Sequence, residues 1–320
     1  MWSGAPSVGA VALVLALAGC GGASGSEPAA ADTASGSGSA ESADTRAVAH
    51  DRGETQVPAE PQRVVVLDSP HLDAALSLGV TPVGSVQSAV DEGLPAYLGD
   101  RTEGVELVGT IEEPDLEAIA SLQPDLILSA TVRHEQIYDQ LTQIAPTVFT
   151  AGSGTNWREG FELVADALGR AEAGDAALAE YDERVDAVGA AIGADDVSAS
   201  IVRFLPDETR LYGPQTFSGS VLTDVGFDLP ALEYDEYSMA YISPEQIGLA
   251  DADVVFSTAY GDAAATTRDA VTAVWQTLPA VQNGCQFDVD DGEWMIGIGL
   301  IGAGIVLDDL ESALDGASCG

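Results

Sequence analysis

The sequence contains no lysine, and its 11 cationic side chains, all arginine, face 52 acidic residues, so the formal net charge is −41. A protein that binds nucleic acid replaces the counterions of the phosphate backbone with its own cations, and this chain has too few of them. A basic patch that would attract anionic lipid is excluded for the same reason. The composition therefore excludes nucleic-acid binding and charge-driven attachment to membranes.

Long hydrophobic runs are also scarce, and residues 8–18 form an apolar run too short to span a bilayer as a mature helix. It ends in Leu17-Ala18-Gly19-Cys20, which resembles the lipobox of bacterial lipoproteins, although residues 1–10 carry none of the positive charge usual in signal sequences. An ordinary secretory signal or a short buried segment is the alternative. We expect residues 1–19 to be a lipoprotein signal peptide and Cys20 to carry the lipid, which places the protein on the extracytoplasmic face of the cell membrane.

The composition changes after Cys20, since 18 of the 25 residues 21–45 are Gly, Ala or Ser. Such a segment buries too little surface to offset its ordering entropy. We expect residues 20–47 to be a disordered tether that carries the folded body.

Cysteine is rare, and once Cys20 is assigned to the lipid only Cys285 and Cys319 remain. An even pair in an oxidising compartment favours a disulfide. Closing a loop of about 35 residues would contribute roughly 3–4 kcal/mol in the chain-entropy account. Two free buried thiols are the alternative.

Apolar runs typical of buried parallel strands alternate with helical segments through the rest of the chain. Between two such halves, residues 171–192 predict a helix about 30 Å long, enough to run across a two-lobed molecule. We expect an N-terminal lobe (residues 48–170), a bridging helix (171–193), a C-terminal lobe (194–320) and a ligand cleft between the lobes. The predicted strands are residues 63–67, 80–86, 125–129, 146–149, 200–205, 210–212 and 253–257, and the other predicted helices are residues 72–78, 115–122, 134–144, 220–226, a helix opening at Ser243, and 303–314.

Short sequence blocks, in order and over residues 48–314, resemble the substrate-binding lipoproteins of iron–siderophore ABC importers. The blocks are GETQVP (53–58), PQRVVVL (61–67), VGT (108–110), PDLEAI (114–119), LQPDLIL (122–128), RHEQIY (133–138), IAPTV (144–148), LPAV (278–281) and LDDL (307–310). The resemblance implies two Rossmann-like α/β lobes with parallel-type sheets, bridged by one long α-helix.

The same resemblance implies a monomeric receptor that captures a ferric siderophore and delivers it to an ABC permease dimer with its ATPase, without catalysis. The siderophore already supplies oxygen ligands to its Fe³⁺, so no cofactor and no protein metal ligand are expected. The scarcity of positive charge favours a hydroxamate or citrate–hydroxamate complex over a triply anionic catecholate. A receptor for haem, cobalamin or a metal ion on the same fold is the alternative.

Enzyme signatures are largely missing, since the sequence has no Walker phosphate loop, G-x-S-x-G, H-E-x-x-H or C-x-x-C motif. Residues 297–302 match G-x-G-x-x-G, but no strand follows to complete a dinucleotide-binding unit. We interpret them as a close-packed loop entering the last helix.

Two histidines, His71 and His134, follow predicted strands at the edge where α/β folds place ligands. With a carboxylate they could hold a metal ion. The favoured interpretation is a hydrogen-bonding or helix-start role, because no His-rich loop accompanies them and His134 lies in the Arg-His-Glu context of the resembling family.

Three arginines are candidates for binding chelate oxygens, because a planar guanidinium makes bidentate hydrogen bonds and stacks on aromatic rings. One follows the strand at 125–129, and two lie on the first strands of the second lobe. A surface ion pair is the alternative for each. The predicted ligand-binding residues are Arg133, Arg203, Arg210, Tyr212, Tyr260 and Trp294, the last of which matches the family's aromatic position near the final helix.

Family members dock on their permease through one carboxylate on each lobe, and Glu117 and Glu245 occupy the matching positions. Each lies near the start of a short predicted helix. The alternative is a favourable interaction with the helix dipole, which needs no partner.

Overall fold

The computed structural model describes residues 44–90, 92–317 and 319, so the predicted signal peptide, Cys20 and residues 20–43 of the predicted tether lie outside the described residues. From Thr45 onward the chain is ordered as strand β1 (Thr45–His50), which pairs antiparallel with β2 (Gly53–Pro58). The predicted extension of the tether to residue 47 is therefore wrong for its last three residues. Val48 and Val57 are fully buried, and their burial contributes part of the free energy that orders this hairpin.

The N-terminal lobe is built on a five-stranded sheet in which every strand is parallel to its neighbours. The three valines of its central strand are buried, as expected of a strand covered on both faces. In spatial order the sheet is β5-β4-β3-β6-β7, formed by β3 (Val64–Val66), β4 (Gly84–Gln87), β5 (Glu106–Thr110), β6 (Leu126–Ala130) and β7 (Thr147–Thr150).

The helices of this lobe include the two predicted over residues 72–78 and 115–122 and a third, over residues 157–167, that was not predicted. They are α1 (Ser69–Ser77), α2 (Leu116–Ser121), α3 (Thr131–His134), α4 (Tyr138–Leu141) and α5 (Trp157–Ala167). The single helix predicted over residues 134–144 is wrong. The His134 ring turns inward to hydrogen-bond Ser129 and Ile111, and its backbone leaves the helical region at φ −128° and ψ 22°.

The predicted bridging helix is confirmed as α6 (Ala171–Ile192), which ends at Gly193 in the left-handed conformation. Leu178, Tyr181, Val185 and Val188 are buried at helical spacing along it. The helix packs against both α5 of the first lobe and helices of the second.

The C-terminal lobe repeats the plan with a mixed sheet. Strands β8, β11 and β12 pair in parallel, as predicted, whereas β9 pairs antiparallel with both β8 and β10. In spatial order the sheet is β10-β9-β8-β11-β12, formed by β8 (Ala199–Phe204), β9 (Thr209–Tyr212), β10 (Met239–Ile242), β11 (Val254–Ala259) and β12 (Gln286–Asp288). The helices are α7 (Phe217–Val225), α8 (Arg268–Trp275), α9 (Pro279–Gln282) and α10 (Leu300–Leu314).

Helix α10 is joined to α1 by a buried carboxylate. The backbone N–H groups of Ile301 and Gly302 each donate to Asp73 at 3.1 Å. Gly299 has φ +146°, and a Cβ there would lie 2.3 Å from Oδ1 of Asp73, while a Cβ at Gly302 would lie 1.5 Å from the carbonyl oxygen of Gly297. The glycines of residues 297–302 thus permit close packing, and the interpretation as a packed loop entering the last helix is confirmed.

The predicted disulfide is confirmed. Cys285 and Cys319 are bonded, with their Cα atoms 5.7 Å apart, and the bond ties the C-terminal segment to the start of β12. Among the described residues, no helix is both long and apolar enough to cross a membrane.

Candidate functional site

The strand ends of the two lobes face each other across a cleft. Tyr260, which follows β11, donates its hydroxyl hydrogen to the carbonyl oxygen of Ala89, which follows β4, at 3.1 Å. A cavity of about 340 Å³ lies beside this contact, lined by Val90 from the first lobe and by the ends of β11 and β12 from the second. The carboxyl ends of parallel strands are where α/β sheets bind ligands, and this geometry brings two such edges together.

Four side chains form a row across the second lobe's sheet near this edge. Thr258 of β11 pairs with Arg203 of β8, which pairs with Arg210 of β9, which pairs with Tyr241 of β10. Residues paired across neighbouring strands project from the same face of a sheet. We call these four residues the arginine row.

Arg203 is the buried member of the row, with 8% of its surface exposed. It donates to both carboxylate oxygens of Asp291, from Nε at 2.7 Å and from Nη2 at 2.5 Å, and to the Tyr212 hydroxyl at 3.3 Å. The Tyr260 ring lies 5.2 Å from its guanidinium carbon. Burial acts against the charge, but Asp291 and the Tyr212 hydroxyl together outweigh it, and the pKa of Arg203 is raised.

Arg210 is more exposed and is held differently. It donates from Nε to Glu208 at 2.7 Å and from Nη2 to the same oxygen. Its guanidinium carbon lies 5.3 Å from the Tyr241 ring, and Nη1 lies 3.8 Å from the sulfur of Met239. An aromatic ring and a thioether thus position this guanidinium along with its ion pair.

Arg133 lies on the first lobe, where it donates to Asp68 from Nε at 3.1 Å and to the Ser153 hydroxyl at 3.3 Å. Asp68 also accepts from Ser153 at 2.6 Å and caps α1 through the backbone N–H of Ser69. Arg133 lines a cavity of about 690 Å³ that lies wholly on the first lobe. The structure therefore does not bring Arg133 into contact with the arginine row.

The three candidate arginines are each neutralised by a carboxylate of the protein. Arg133 pairs with Asp68, Arg203 with Asp291 and Arg210 with Glu208. The cavity between the lobes adds Asp288 and Asp290, of which Asp288 pairs with Arg268. The lining of the cleft thus carries no excess positive charge.

Of the three predicted aromatic residues, Tyr260 lies at the surface of the cleft. Tyr260 is 36% exposed and touches both lobes, whereas Tyr212 is buried behind Arg203 and reaches the cleft only through that side chain. The prediction that Trp294 lines the site is wrong. Its ring is fully buried against Phe256, with centroids 4.8 Å apart, because residues 292–296 form a π-helical turn that directs it inward, where Nε1 donates to Asp309 at 2.8 Å.

The two histidines make hydrogen bonds inside the first lobe. Nε2 of His134 donates to the Ile111 carbonyl at 2.7 Å, so Nδ1 accepts from Ser129 at 2.6 Å. His71 bonds Thr150 through Nε2 at 3.2 Å. Burial lowers the pKa of His71 to about 4 and also lowers that of His134. The hydrogen-bonding role predicted for His134 is confirmed, and within residues 44–90, 92–317 and 319 no group of three His, Cys, Asp or Glu could hold a metal ion.

Sequence reasoning missed most of the residues that orient the arginines. Asp68 and Asp291 each follow a strand of a parallel sheet, which is a usable signal, but the strand before Asp291 is three residues long and was not predicted. Tyr241 lies on the short strand β10, which was also not predicted. Glu208 lies in the turn between two predicted strands, where an acidic residue has no distinguishing feature.

The predicted docking carboxylates both lie at the start of exposed helical turns. Glu117 is exposed in the first turn of α2, which Asp115 caps by accepting from two backbone N–H groups. Glu245 is exposed in the 3₁₀ turn Pro244–Ala250, which Ser243 and Gln246 close with a capping box as the Ser243 prediction requires. Hydrogen bonds from its own backbone and from Ser243 lower the pKa of Glu245.

Sequence comparison matches this chain to one family over most of its length. The family described as periplasmic binding protein covers residues 64–291, which include both lobes and the bridging helix.

Individual relatives span the same region. The probable siderophore-binding lipoprotein YfiY of Bacillus subtilis is 37% identical over 286 residues, covering 85% of this chain and 88% of YfiY. The Fe(3+)-citrate-binding protein YfmC of the same organism is 32% identical, covering 81% and 82%. Among solved structures, Staphylococcus aureus SirA complexed with staphyloferrin B has a TM-score of 0.76 at 31% identity, covering 85% of this chain and 99% of SirA.

Proposed function

The chain belongs to the periplasmic binding protein family, and we propose that it captures a ferric siderophore in the cleft between its lobes and delivers it to an ABC importer. The family consists of substrate-binding transport proteins and is not an enzyme family. The names of the relatives support a ferric siderophore as the ligand and lend no support to haem, cobalamin or a bare metal ion. The protein then acts as a receptor that leaves its ligand chemically unchanged.

The arginine row is the observation that carries this proposal. A ferric siderophore has a bulky body with chelate oxygens on its surface, and it needs hydrogen-bond donors beside apolar or aromatic walls. Arg203 and Arg210 supply donors in one row, flanked by the rings of Tyr260 and Tyr241. Arg133, which is 42% exposed at its side chain, supplies donors from the opposite lobe.

The charge balance of the cleft supports a ligand of low charge. Because each candidate arginine carries its own carboxylate, a triply anionic catecholate complex would meet Asp68, Glu208 and Asp291 without a surplus of cations to offset them. An uncharged hydroxamate complex would meet less repulsion, and so would a citrate–hydroxamate complex whose free carboxylates lie away from these acids. We therefore propose one of these two classes.

Delivery requires a partner, which we propose to be an ABC permease dimer with its ATPase, engaged by a monomer of this protein. Glu117 on the first lobe and Glu245 on the second are both exposed and offer one carboxylate each to arginines of the permease. The helix-dipole alternative makes a different prediction for uptake, which is given in the Discussion.

The site of capture is the extracytoplasmic face of the membrane. We propose that Cys20 carries the lipid anchor, a residue that lies outside the described part of the chain. The lipobox-like sequence and the description of YfiY as a lipoprotein support this assignment.

A fluorescence titration tests the ligand class. Ferric chelates absorb light where tryptophan emits, so occupancy of the cleft quenches the emission of Trp157, Trp275 and Trp294 by energy transfer although all three are buried. We expect saturable quenching by an uncharged ferric trihydroxamate or a ferric citrate–hydroxamate, with weaker binding of a triply anionic ferric catecholate. Saturable quenching by haem or cobalamin, with none by any ferric siderophore, would contradict the proposal.

A further inference from the structure

Glu208 differs from the other two carboxylates that pair with the candidate arginines. It lies in the turn between β8 and β9, and its side chain is 36% exposed. Hydrogen bonds at its backbone carbonyl, from the N–H of Leu205 at 2.9 Å and the Thr267 hydroxyl at 3.1 Å, fix its main chain. Among the described residues, its carboxylate is bonded only by Arg210.

The carboxylates of Asp68 and Asp291 are fixed from several sides. Asp291 is 9% exposed at its side chain and accepts from the Thr258 hydroxyl at 3.2 Å in addition to Arg203. Asp68 is 2% exposed at its side chain and accepts from Ser153 and the Ser69 N–H in addition to Arg133. Removing either from its arginine would strand a buried charge, which is costly.

Releasing Glu208 would cost much less. The side chains of Arg210 and Glu208 are 23% and 36% exposed, so water solvates both charges once they separate, and such a pair contributes less net free energy than a buried one. Arg210 would keep its place, since the Tyr241 ring and the Met239 sulfur contact the guanidinium independently of Glu208. The Arg210 guanidinium is therefore held in place even when the Glu208 carboxylate moves away from it.

We propose that Glu208 is a displaceable competitor for Arg210 and sets how much negative charge a ligand may carry. A carboxylate on the ferric chelate would take the position of the Glu208 carboxylate on the guanidinium, and Glu208 would rotate into water. An anionic chelate thus has to displace Glu208 and then bind near its charge, whereas an uncharged chelate has neither cost. This inference rests on the proposed capture of a ferric siderophore in the cleft.

The test compares two probes on four proteins. The probes are ferric aerobactin, a citrate–hydroxamate chelate whose two lysine-derived arms carry carboxylates that do not ligate the iron, and ferrioxamine E, an uncharged ferric trihydroxamate. The proteins are the wild type, Glu208→Gln, Asp207→Asn and Glu208→Gln combined with Arg210→Gln. Asp207 is an exposed acid in the same turn, so its variant changes the net charge equally one residue away.

We expect Glu208→Gln to bind ferric aerobactin about tenfold more tightly than the wild type, with ferrioxamine E affinity changed less than twofold. Asp207→Asn should leave both affinities within twofold, and the double variant should lose the gain. Three results would overturn the assignment of Glu208: no gain in aerobactin affinity in Glu208→Gln, an equal gain in Asp207→Asn, or a gain that persists in the double variant. Binding of either chelate by the wild type would still support the receptor function in each of these cases. Failure of the wild type and of every variant to bind either chelate would contradict the proposed function itself, and the role of Glu208 with it.

Discussion

Arg203 and Arg210 are direct cross-strand partners on β8 and β9, yet each is paired with a carboxylate of its own and not with a shared one. Two like charges opposite each other on a sheet are destabilising unless each is compensated. Asp291 compensates the buried Arg203, and Glu208 compensates the partly exposed Arg210. The two local ion pairs therefore allow two of the 11 cations of the chain to project from one face of the sheet.

The Arg203–Asp291 pair should have a measurable structural role. Arg203→Met leaves the Asp291 carboxylate buried without its guanidinium, so we expect the free energy of unfolding to fall by about 3–5 kcal/mol. The double variant Arg203→Met/Asp291→Leu removes both charges and should recover most of that loss. Urea denaturation measures both values, and a double variant no more stable than Arg203→Met would show that the buried charge is not the cause.

Asp73, where α1 meets α10, should make stability depend on pH. Burial raises its pKa to about 7, although hydrogen bonds from Ile301, Gly302 and Tyr97 act in the opposite direction. An unfolded aspartate titrates near pH ~4, so only the folded protein holds this proton between the two values. The Asp73 contribution to stability is therefore fully present below about pH 4 and lost as the pH rises through about 7.

Urea denaturation between pH 5 and pH 8 at fixed ionic strength checks this sign. Over the lower part of this range, the stability of the wild type relative to Asp73→Asn should fall with rising pH by up to ~1.4 kcal/mol per unit. Asp186→Asn removes one carboxylate from the exposed surface of α6 and serves as the control for net charge. If the free energies of unfolding of the wild type and of Asp73→Asn change equally with pH across this range, the account of Asp73 is wrong.

The two proposed docking carboxylates should affect uptake without affecting binding. Under docking, Glu117→Ala and Glu245→Ala keep siderophore affinity and resistance to urea, while uptake of radioactive iron falls, most in the double variant. Glu172→Ala is the matched control, because Glu172 is also an exposed acid in the first turn of a helix. Uptake at the wild-type rate in the double variant would end the docking proposal and leave the helix-dipole interaction as the explanation.

The lipid anchor should depend on Cys20. Cys20→Ala removes the thiol that accepts the lipid, so we expect the variant to remain unlipidated, either released into the medium or held by an uncleaved leader. Partition between water and detergent, with lipid labelling, distinguishes these states from the anchored protein. Lipid labelling and detergent partition equal to those of the wild type would show that another residue carries the anchor.

The fold was largely predictable because its signals are local. Apolar runs such as residues 125–129 and the spacing from Leu178 to Val188 identify buried strands and the bridging helix without knowledge of distant contacts. The Cys285–Cys319 bond was predictable because these two cysteines remain as an even pair in an oxidising compartment once Cys20 is assigned to the lipid. The break in the predicted helix at 134–144 was not predictable, because it depends on the carbonyl of Ile111, which lies 23 residues from His134.

The site was less predictable because its geometry depends on long-range pairing. Arg203 is oriented by Asp291, 88 residues away in sequence, and nothing in either local sequence indicates the pair. The sequence also assigns one residue to the cleft wrongly. Trp294 is of a type and at a position that favour a ligand contact, but its ring is buried in the core. Residue types indicated the chemistry of the cleft, but only the packing determines which side chains reach it.

The most direct test of the central claim is a calorimetric titration of the protein with an uncharged ferric trihydroxamate, carried out on the wild type, Arg133→Gln and Arg184→Gln. Arg184 pairs with Asp308 on the exposed surface of α6 and α10 and is the matched control. We predict one site per chain, with Arg133→Gln about tenfold to a hundredfold weaker, the loss expected for a charge-assisted hydrogen bond of ~1.5–3 kcal/mol. Arg184→Gln should bind as the wild type does. Absence of binding in the wild type would contradict capture of an uncharged ferric trihydroxamate, and an equal affinity in all three proteins would contradict the contribution of the first lobe through Arg133.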